Sequence, residues 1–372
     1  MQKEVVVKIT DLSRGGAGVS RDEEGRVIFV PYTAPGDQVR VRILETQKRY
    51  SQGEVVEILE PSALRQKPRC PAFGVCGGCQ WQHLPYSLQW DTKVQGLLQA
   101  LDRVQVSRPL ELDSIPAHQT WEYRNRVQLR GEGSQIGFLK AGSNQRVSVD
   151  RCDLARSEIN EAWEAVRKEG VQFRKPFKVE VEVTQEGEIR TTWNARHSST
   201  GFRQVHDEQN KKLKSWVYEI LKNKEWVLDL YGGSGNLSLN LQESVREIHC
   251  VDFTAPRLQP VGISSHFHFH RMEVLAWLRS HSQEKQSFFG KIEGAAILDP
   301  PREGLSQNFL EIAQILELLG VRQIIAIGCD VDSWARDLSR WVKRGWEFKR
   351  LLAIDLFPQT YHLESVGVLV LK

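Results

Sequence analysis

The sequence predicts an α/β protein in three parts: a C-terminal Rossmann-like domain, a central α/β domain and a small N-terminal β-barrel. From about residue 205 onward, short apolar runs alternate with helix-length segments, the pattern of a mostly parallel sheet flanked by helices. Through roughly the first 60 residues, strands of period two are broken by closely spaced turns, as in a small antiparallel barrel. The stretch between is mixed, and a chain of 372 residues is too long for one ordinary core. Domains are expected at 1–62, 63–204 and 205–372.

The barrel reading rests on VVVKIT, the turn SRGGAG, RVIFVPY, the turn APGD, QVRVRILE and GEVVEILE, with Val39, Val41 and Ile43 alternating. Such a barrel suits RNA or serves as a structural appendage. A polar link, PSALRQKPRC, leads into CPAFGVCGGCQWQH. Cys70, Cys76 and Cys79 are spaced C-x5-C-x2-C, and Cys152 stands alone downstream. Four thiolates suit structural zinc or an iron-sulfur cluster, and the spacing leaves both open. A helix-like LQWDTKVQGLLQALDRV and the strands RVQLR and KVEVEVTQEGEIRTTW complete the middle.

In the C-terminal part, Leu213, Trp216, Val217, Ile220 and Leu221 form the stripe of an amphipathic helix, with Asp207 and Glu208 suited to its first turn. WVLDLY, IHCVDF, GAAILDP, QIIAIGC and LLAIDLF read as strands. VLDLYGGSGNLSL places Asp229 at a strand end and Gly232, Gly233 and Gly235 in the turn that follows, where glycine lets backbone approach a ligand. The turn is neither GxGxxG nor a P-loop. Asp252 ends the next strand, placed to accept from ribose hydroxyls, and the combination suits S-adenosylmethionine. Asp299, Cys329 and Glu364 follow three further strands, so the topology crowds them at the same edge. At a helix N-terminus the Cys329 thiol is expected to have a lowered pKa, with Asp330 pulling the other way. Cys250 reads as core.

Lys and Arg exceed Asp and Glu by only three, which permits a nucleic-acid partner without demanding one. No run approaches the roughly 18 to 20 apolar residues of a membrane span, and the first residues lack a secretory h-region. A cytoplasmic protein with reduced thiols is expected.

Together these pieces resemble the RNA 5-methyluridine methyltransferase family across nearly the whole chain. The matching stretches are PGDQVRV, CPAFGVCGGCQWQH, YRNRVQL, IGFLKAGS, GFRQV, LDLYGGSGN, LDPPREG, the cysteine before WARDL, and FPQTYHLES. The resemblance implies a TRAM-like barrel, a class I methyltransferase domain, and a 4Fe-4S cluster on Cys70, Cys76, Cys79 and Cys152. It makes Cys329 the nucleophile that adds to uracil carbon 6 and Glu364 the base that removes the carbon 5 proton. Gln204, Asp229, Tyr231, Gly233, Gly235, Asp252 and Asp299 become cofactor contacts, and Arg302 and His362 either orient phosphate or base or are structural.

Barrel plus cluster is the arrangement of the family's ribosomal RNA enzymes, so a uridine in 23S ribosomal RNA is the expected target, with no DNA or membrane partner and a monomeric chain. A transfer RNA target and an RNA-binding protein with a degenerate catalytic domain are the alternatives. Expected phosphate contacts are Lys48, Arg49, Arg65, Lys67, Arg69, Arg124 and Arg126, with Trp81 and Tyr123 as stacking platforms or ordinary packing. The chain departs from the family at Gly232, often cysteine; at His206, often asparagine; at Asp252, usually glutamate; and at Gly328, Asp330 and Val331, where Ser-Cys-Asn-Pro is common.

Overall fold

The computed structural model describes residues 3–195, 203–256, 262–282 and 293–371. Contacts gather the chain into two compact units, one from 1–96, 118–195 and 357–362, the other from 97–117, 196–356 and 363–372.

In the first unit, β1 (Glu4–Lys8), β2 (Asp11–Leu12), β3 (Gly18–Arg21), β4 (Val27–Val30), β5 (Gln38–Thr46) and β6 (Tyr50–Glu60) form a half-barrel sheet in the order β1-β5-β6-β4-β3-β2. Its core is Val7, Ile9, Ile28, Val30, Val39 and Val41, so the alternation at Val39 and Val41 marks the inward face. One pairing departs from the expected antiparallel barrel: β6 runs parallel to β4. The cause is β5, which reverses the chain before β6 comes alongside. Asp37, closing the APGD turn, accepts from Ala34 N at 2.6 Å, Ser62 N at 2.8 Å and Arg65 Nε at 2.8 Å. Burial alone would raise this carboxyl, but those donors hold it below its ordinary value. Arg65 is therefore a structural ion pair rather than the phosphate contact expected of it.

After α1 (Tyr86–Arg103) and β7 (Glu111–Ile115), the strands β8 (Arg126–Glu132), β9 (Gln135–Leu139), β10 (Arg146–Ser148), β11 (Phe177–Val183) and β12 (Ile189–Trp193) form an antiparallel sheet, β10-β9-β8-β11-β12. Val127, Leu129, Val179 and Val181 on one face pack with Ile159 of α2 (Ser157–Glu161) and with Trp163 and Val166 of α3 (Trp163–Gly170). Trp81 and Tyr123 are buried packing residues rather than platforms: Trp81 Nε1 donates to Gly16 O at 2.9 Å and Tyr123 Oη to Pro358 O at 3.0 Å.

The second unit contains α4 (Asp207–Leu221), β13 (Trp226–Leu230), β14 (Glu247–Val251), β15 (Phe267–His270), α5 (Val274–Ser282), β16 (Gly294–Leu298), α6 (Phe309–Leu319), β17 (Val321–Gly328), α7 (Val331–Lys343), β18 (Trp346–Ile354) and β19 (Glu364–Leu371). The sheet order is β15-β14-β13-β16-β17-β19-β18-β7, parallel except that β19 opposes both its neighbours. The Rossmann-like expectation holds, and Leu213, Val217 and Leu221 are the buried stripe of α4. The pattern did not reveal β7 and β15, because ELDSI and FHFH lie at the sheet edges, where covering is incomplete and apolar runs are not required. The chain passes from β13 to β14 on one side and reaches β16 on the other, which makes the end of β13 a switch point.

Candidate functional site

β13 is buried along its whole length and delivers Asp229 and then Tyr231 to that switch point. Tyr231 has a left-handed φ of 66°, an uncommon strain for a non-glycine residue, and Gly233 and Gly235 follow at 58° and 80°. Asp229 accepts from Ser238 Oγ at 2.5 Å, while its Oδ1 is buried with no partner among the described residues. Burial, followed by the charge of Asp252, pushes its carboxyl up to about 7. Asp252 spends Oδ1 on Thr254 N at 2.6 Å and Thr254 Oγ1 at 2.5 Å, and no bond to its Oδ2 is present among the described residues. Asp299 is raised by burial and then by Asp229 and Asp252. An orphaned buried acceptor, a second acceptor with capacity to spare and a glycine turn fit a cationic, ribose-bearing ligand such as S-adenosylmethionine.

Gln204 is buried just ahead of α4, while Gly201 and Phe202 of the GFRQV stretch lie outside the described residues. Asn210 on α4 and Asn236 in the glycine turn exchange amide hydrogen bonds at 2.9 and 3.0 Å. Sequence reasoning missed this pair, although Asn236 lies in the quoted motif.

Cys329 and Glu364, 35 positions apart in sequence, are brought together by the antiparallel ladder of β17 and β19. Gly328 pairs with Ser365, so one step further sets Cys329 against Glu364. The thiol is pushed up to about 12, first by burial and then by Glu364, with Arg302 opposing. The helix N-terminus does not lower it as expected. Nor is Asp330 the carboxylate that weighs most on it: Asp330 caps α7, accepting from Ser333 N at 2.8 Å. Glu364 is itself buried and raised well above its ordinary value, by burial and then by Asp299. Pro300, Arg302, Cys329 and Trp334 line a small cavity of about 20 Å³.

The loop carrying Arg302 is held by one face of α7. Ser333 Oγ donates to Arg302 O at 2.6 Å, Arg336 to Glu303 O at 2.6 Å, and Arg340 to Ser306 O at 2.8 Å, while Asp337 accepts from Leu305 N at 2.7 Å. The spacing i, i+3, i+4, i+7 was legible in SWARDLSR as a polar stripe, and only the fold reveals its partner. His362 packs its ring on Tyr361 and Phe357.

In the first unit, Cys70, Cys76, Cys79 and Cys152 line one cavity of about 170 Å³ with Phe73, Phe138 and Arg124. Burial raises the thiols of Cys76 and Cys152 and pushes Cys79 up to about 12, so holding thiolates there calls for positive charge. Arg124 Nε is buried in the same place with no hydrogen-bond partner among the described residues, which removes Arg124 from the expected phosphate contacts. Among the described residues no three His, Cys, Asp or Glu side chains could hold a metal ion as they stand. The cavity has room for a group larger than one ion, and four thiols with a buried guanidinium fit an anionic cluster. Arg126 is also not a free cation: it pairs with Glu182 at 2.6 Å, both side chains largely buried. Arg69 stacks on Trp121 and pairs with Glu122 at 3.0 Å, leaving Lys48, Arg49 and Lys67 exposed.

Residues 2–56 match the model of the TRAM domain. The chain is 26% identical to the 23S rRNA (uracil(1939)-C(5))-methyltransferase of Histophilus somni, covering 97% of this chain and 94% of that protein. It is 27% identical to the protein of the same name from Cronobacter sakazakii, over 98% and 96%. The crystal structure of Pyrococcus abyssi tRNA (uracil-54, C5)-methyltransferase in complex with S-adenosyl-L-homocysteine shares the fold, with a TM-score of 0.70, 20% identity and coverage of 98% and 99%.

Proposed function

We propose, since the chain belongs to the S-adenosylmethionine-dependent RNA uridine-C5 methyltransferase family, that it methylates carbon 5 of a uridine in 23S ribosomal RNA. The observation that carries this reading is the apposition of Cys329 and Glu364 at the ends of β17 and β19, beside Asp299, which in turn lies near Asp229 and Asp252. S-Adenosylmethionine, held by Gln204, Asp229, Tyr231, Gly233, Gly235, Asp252 and Asp299, supplies an electrophilic methyl group. Burial keeps Cys329 a thiol at rest, and Arg302 is the cation acting for its ionised form. The thiol gives up its proton to water, the sulfur adds to uracil carbon 6, and the carbon 5–carbon 6 π pair shifts toward the carbon 4 oxygen as an enolate, which makes carbon 5 nucleophilic. After carbon 5 is substituted, Glu364 takes its proton, the carbon-sulfur bond breaks, and the aromatic ring and free thiolate return. A carboxylate raised above its ordinary value is the stronger acceptor for that proton.

The reading assigns residues 1–62 to an RNA-gripping barrel, 63–204 to the cluster and central domain, and 205–372 to catalysis. It includes a 4Fe-4S cluster on Cys70, Cys76, Cys79 and Cys152, supported by their shared cavity, and a cytoplasmic monomer without DNA or membrane partners. No helix among the described residues is long and apolar enough to cross a membrane. Asp330 and Val331, the departures behind the degenerate-domain alternative, form a capped start to α7, and the tritium-release test separates the two readings.

The test is tritium release from RNA labelled at uridine carbon 5, with S-adenosylmethionine and either native protein or Cys329→Ala. Release from 23S ribosomal RNA by the native protein alone is expected. Release from transfer RNA alone would move the substrate, and release by both proteins would overturn the thiol mechanism.

A further inference from the structure

On the five-stranded sheet of the first unit, one face is covered by α2 and α3, and the charges of the other face divide into two ends. At one end they are satisfied within the sheet. Arg126 stands opposite Glu182, and Glu182 opposite Arg190, with ion pairs of 2.6 and 3.2 Å. At the other end Arg130 stands directly opposite Lys178. Like charges at opposed positions repel, and the sheet carries this arrangement at a cost in stability.

Neither Arg130 nor Lys178 has an ion pair among the described residues, and nearby Arg146 has only an exposed one, 3.3 Å from Glu132. The three cations border an open groove of about 540 Å³ with no carboxylate among the described residues of its lining. Gly137, paired between Arg130 and Ser148, leaves that stretch of the sheet without a side chain. Asn144 and Asn194 add amide groups at the rim.

We propose that this groove binds the phosphodiester backbone of the substrate RNA, with Arg130, Lys178 and Arg146 as phosphate contacts. The proposal rests on the RNA reading above and goes beyond it by locating a surface that composition and motifs did not point to. Phosphates supply the charge that the like-charged pair lacks, and guanidinium and ammonium groups bind them without regard to base sequence.

The test is filter binding of transcribed 23S ribosomal RNA across a range of potassium chloride concentrations, with native protein, R130Q, K178Q, the double variant and K178E. Each neutralised phosphate contact steepens the salt dependence by about 0.7 for single-stranded RNA, or about 5-fold in affinity per tenfold in salt. The double variant is expected to bind about 25-fold more weakly near 0.1 M salt, with a slope shallower by about 1.4. Melting temperatures of the glutamine variants should hold or rise, and that of K178E should rise as Arg130 gains a partner. Unchanged affinity and slope in the folded double variant would overturn the proposal, as would a marked fall in melting temperature, which would make the pair structural. Tritium release by native protein separates the two readings. Release with groove-independent binding sinks the groove alone, whereas groove-dependent binding without release sinks the methylation reading.

Discussion

A Cβ at Gly232 would lie 2.5 Å from Asp229 Cγ and 2.7 Å from Cys250 Sγ, closer than real side chains approach. A side chain at this position would meet the Asp229 carboxyl first and the Cys250 sulfur next. Gly232→Ala is expected to destabilise the protein by about 1–3 kcal/mol through overpacking, and Cys250→Ala in the same chain should restore part of that loss. Chemical denaturation of the two variants checks this, and a single variant as stable as the native protein would refute it. Individual residues also show where sequence reasoning is least secure. Asp330 was read as a charge beside a thiolate, yet its carboxylate is taken up by the N-terminus of α7. Arg65, Arg124 and Arg126 were read as phosphate contacts, yet each is engaged within the fold or sealed into the cysteine cavity. A charge in a sequence does not state its partner.

At the scale of elements, α7 does more than follow Cys329. Its polar face holds the loop that carries Arg302, and the centre of that contact is Asp337, 7% exposed, accepting from Leu305 N. Gly304 sits beside it at φ 70°, where a Cβ would lie 2.2 Å from Asp337 Oδ2. Asp337→Ala leaves the buried Leu305 N–H without its acceptor, so a loss of about 1–3 kcal/mol is expected. Because the loop positions Arg302 against Cys329, alkylation of Cys329 by iodoacetamide at fixed pH should also slow, as followed by peptide mass spectrometry. Stability lost with no change in alkylation would reduce the contact to a purely structural one. The strands WVLDLY, IHCVDF, GAAILDP and QIIAIGC were legible because central parallel strands are apolar on both faces.

For the whole molecule, four strands bring Asp229, Asp252, Asp299 and Glu364 to one unit of the protein, and the folded state has to hold several carboxyls out of water. Asp229, raised to about 7 by burial, contributes stability that is fully present below its unfolded value near 4 and is lost as pH rises through about 7. Asp229→Asn should therefore flatten the fall in melting temperature of the ligand-free protein between pH 5 and 8, relative to native. A cationic ligand reverses the balance, since it favours the ionised carboxylates. Affinity for S-adenosylmethionine, measured by calorimetry, is expected to rise with pH up to about 7 and then level off. Equal affinity at pH 6 and pH 8 would contradict the assignment of these carboxyls to the cofactor.

By itself the sequence determined the Rossmann-like sheet, the position of the glycine turn and the inward face of the half-barrel, and it singled out Cys329 and Glu364 as the candidate nucleophile and base. All of these are written in local periodicity or in short motifs, where neighbours along the chain carry the signal. Only the tertiary structure decided that Cys329 is a half-buried thiol whose pKa is raised, that Asp330 is a cap, that four distant cysteines share a cavity, and that Arg130 faces Lys178 while Arg126 does not lack a partner. Ionisation and charge pairing depend on burial and on distances of a few ångströms between residues far apart in the chain, and those quantities exist only once the sheets have formed.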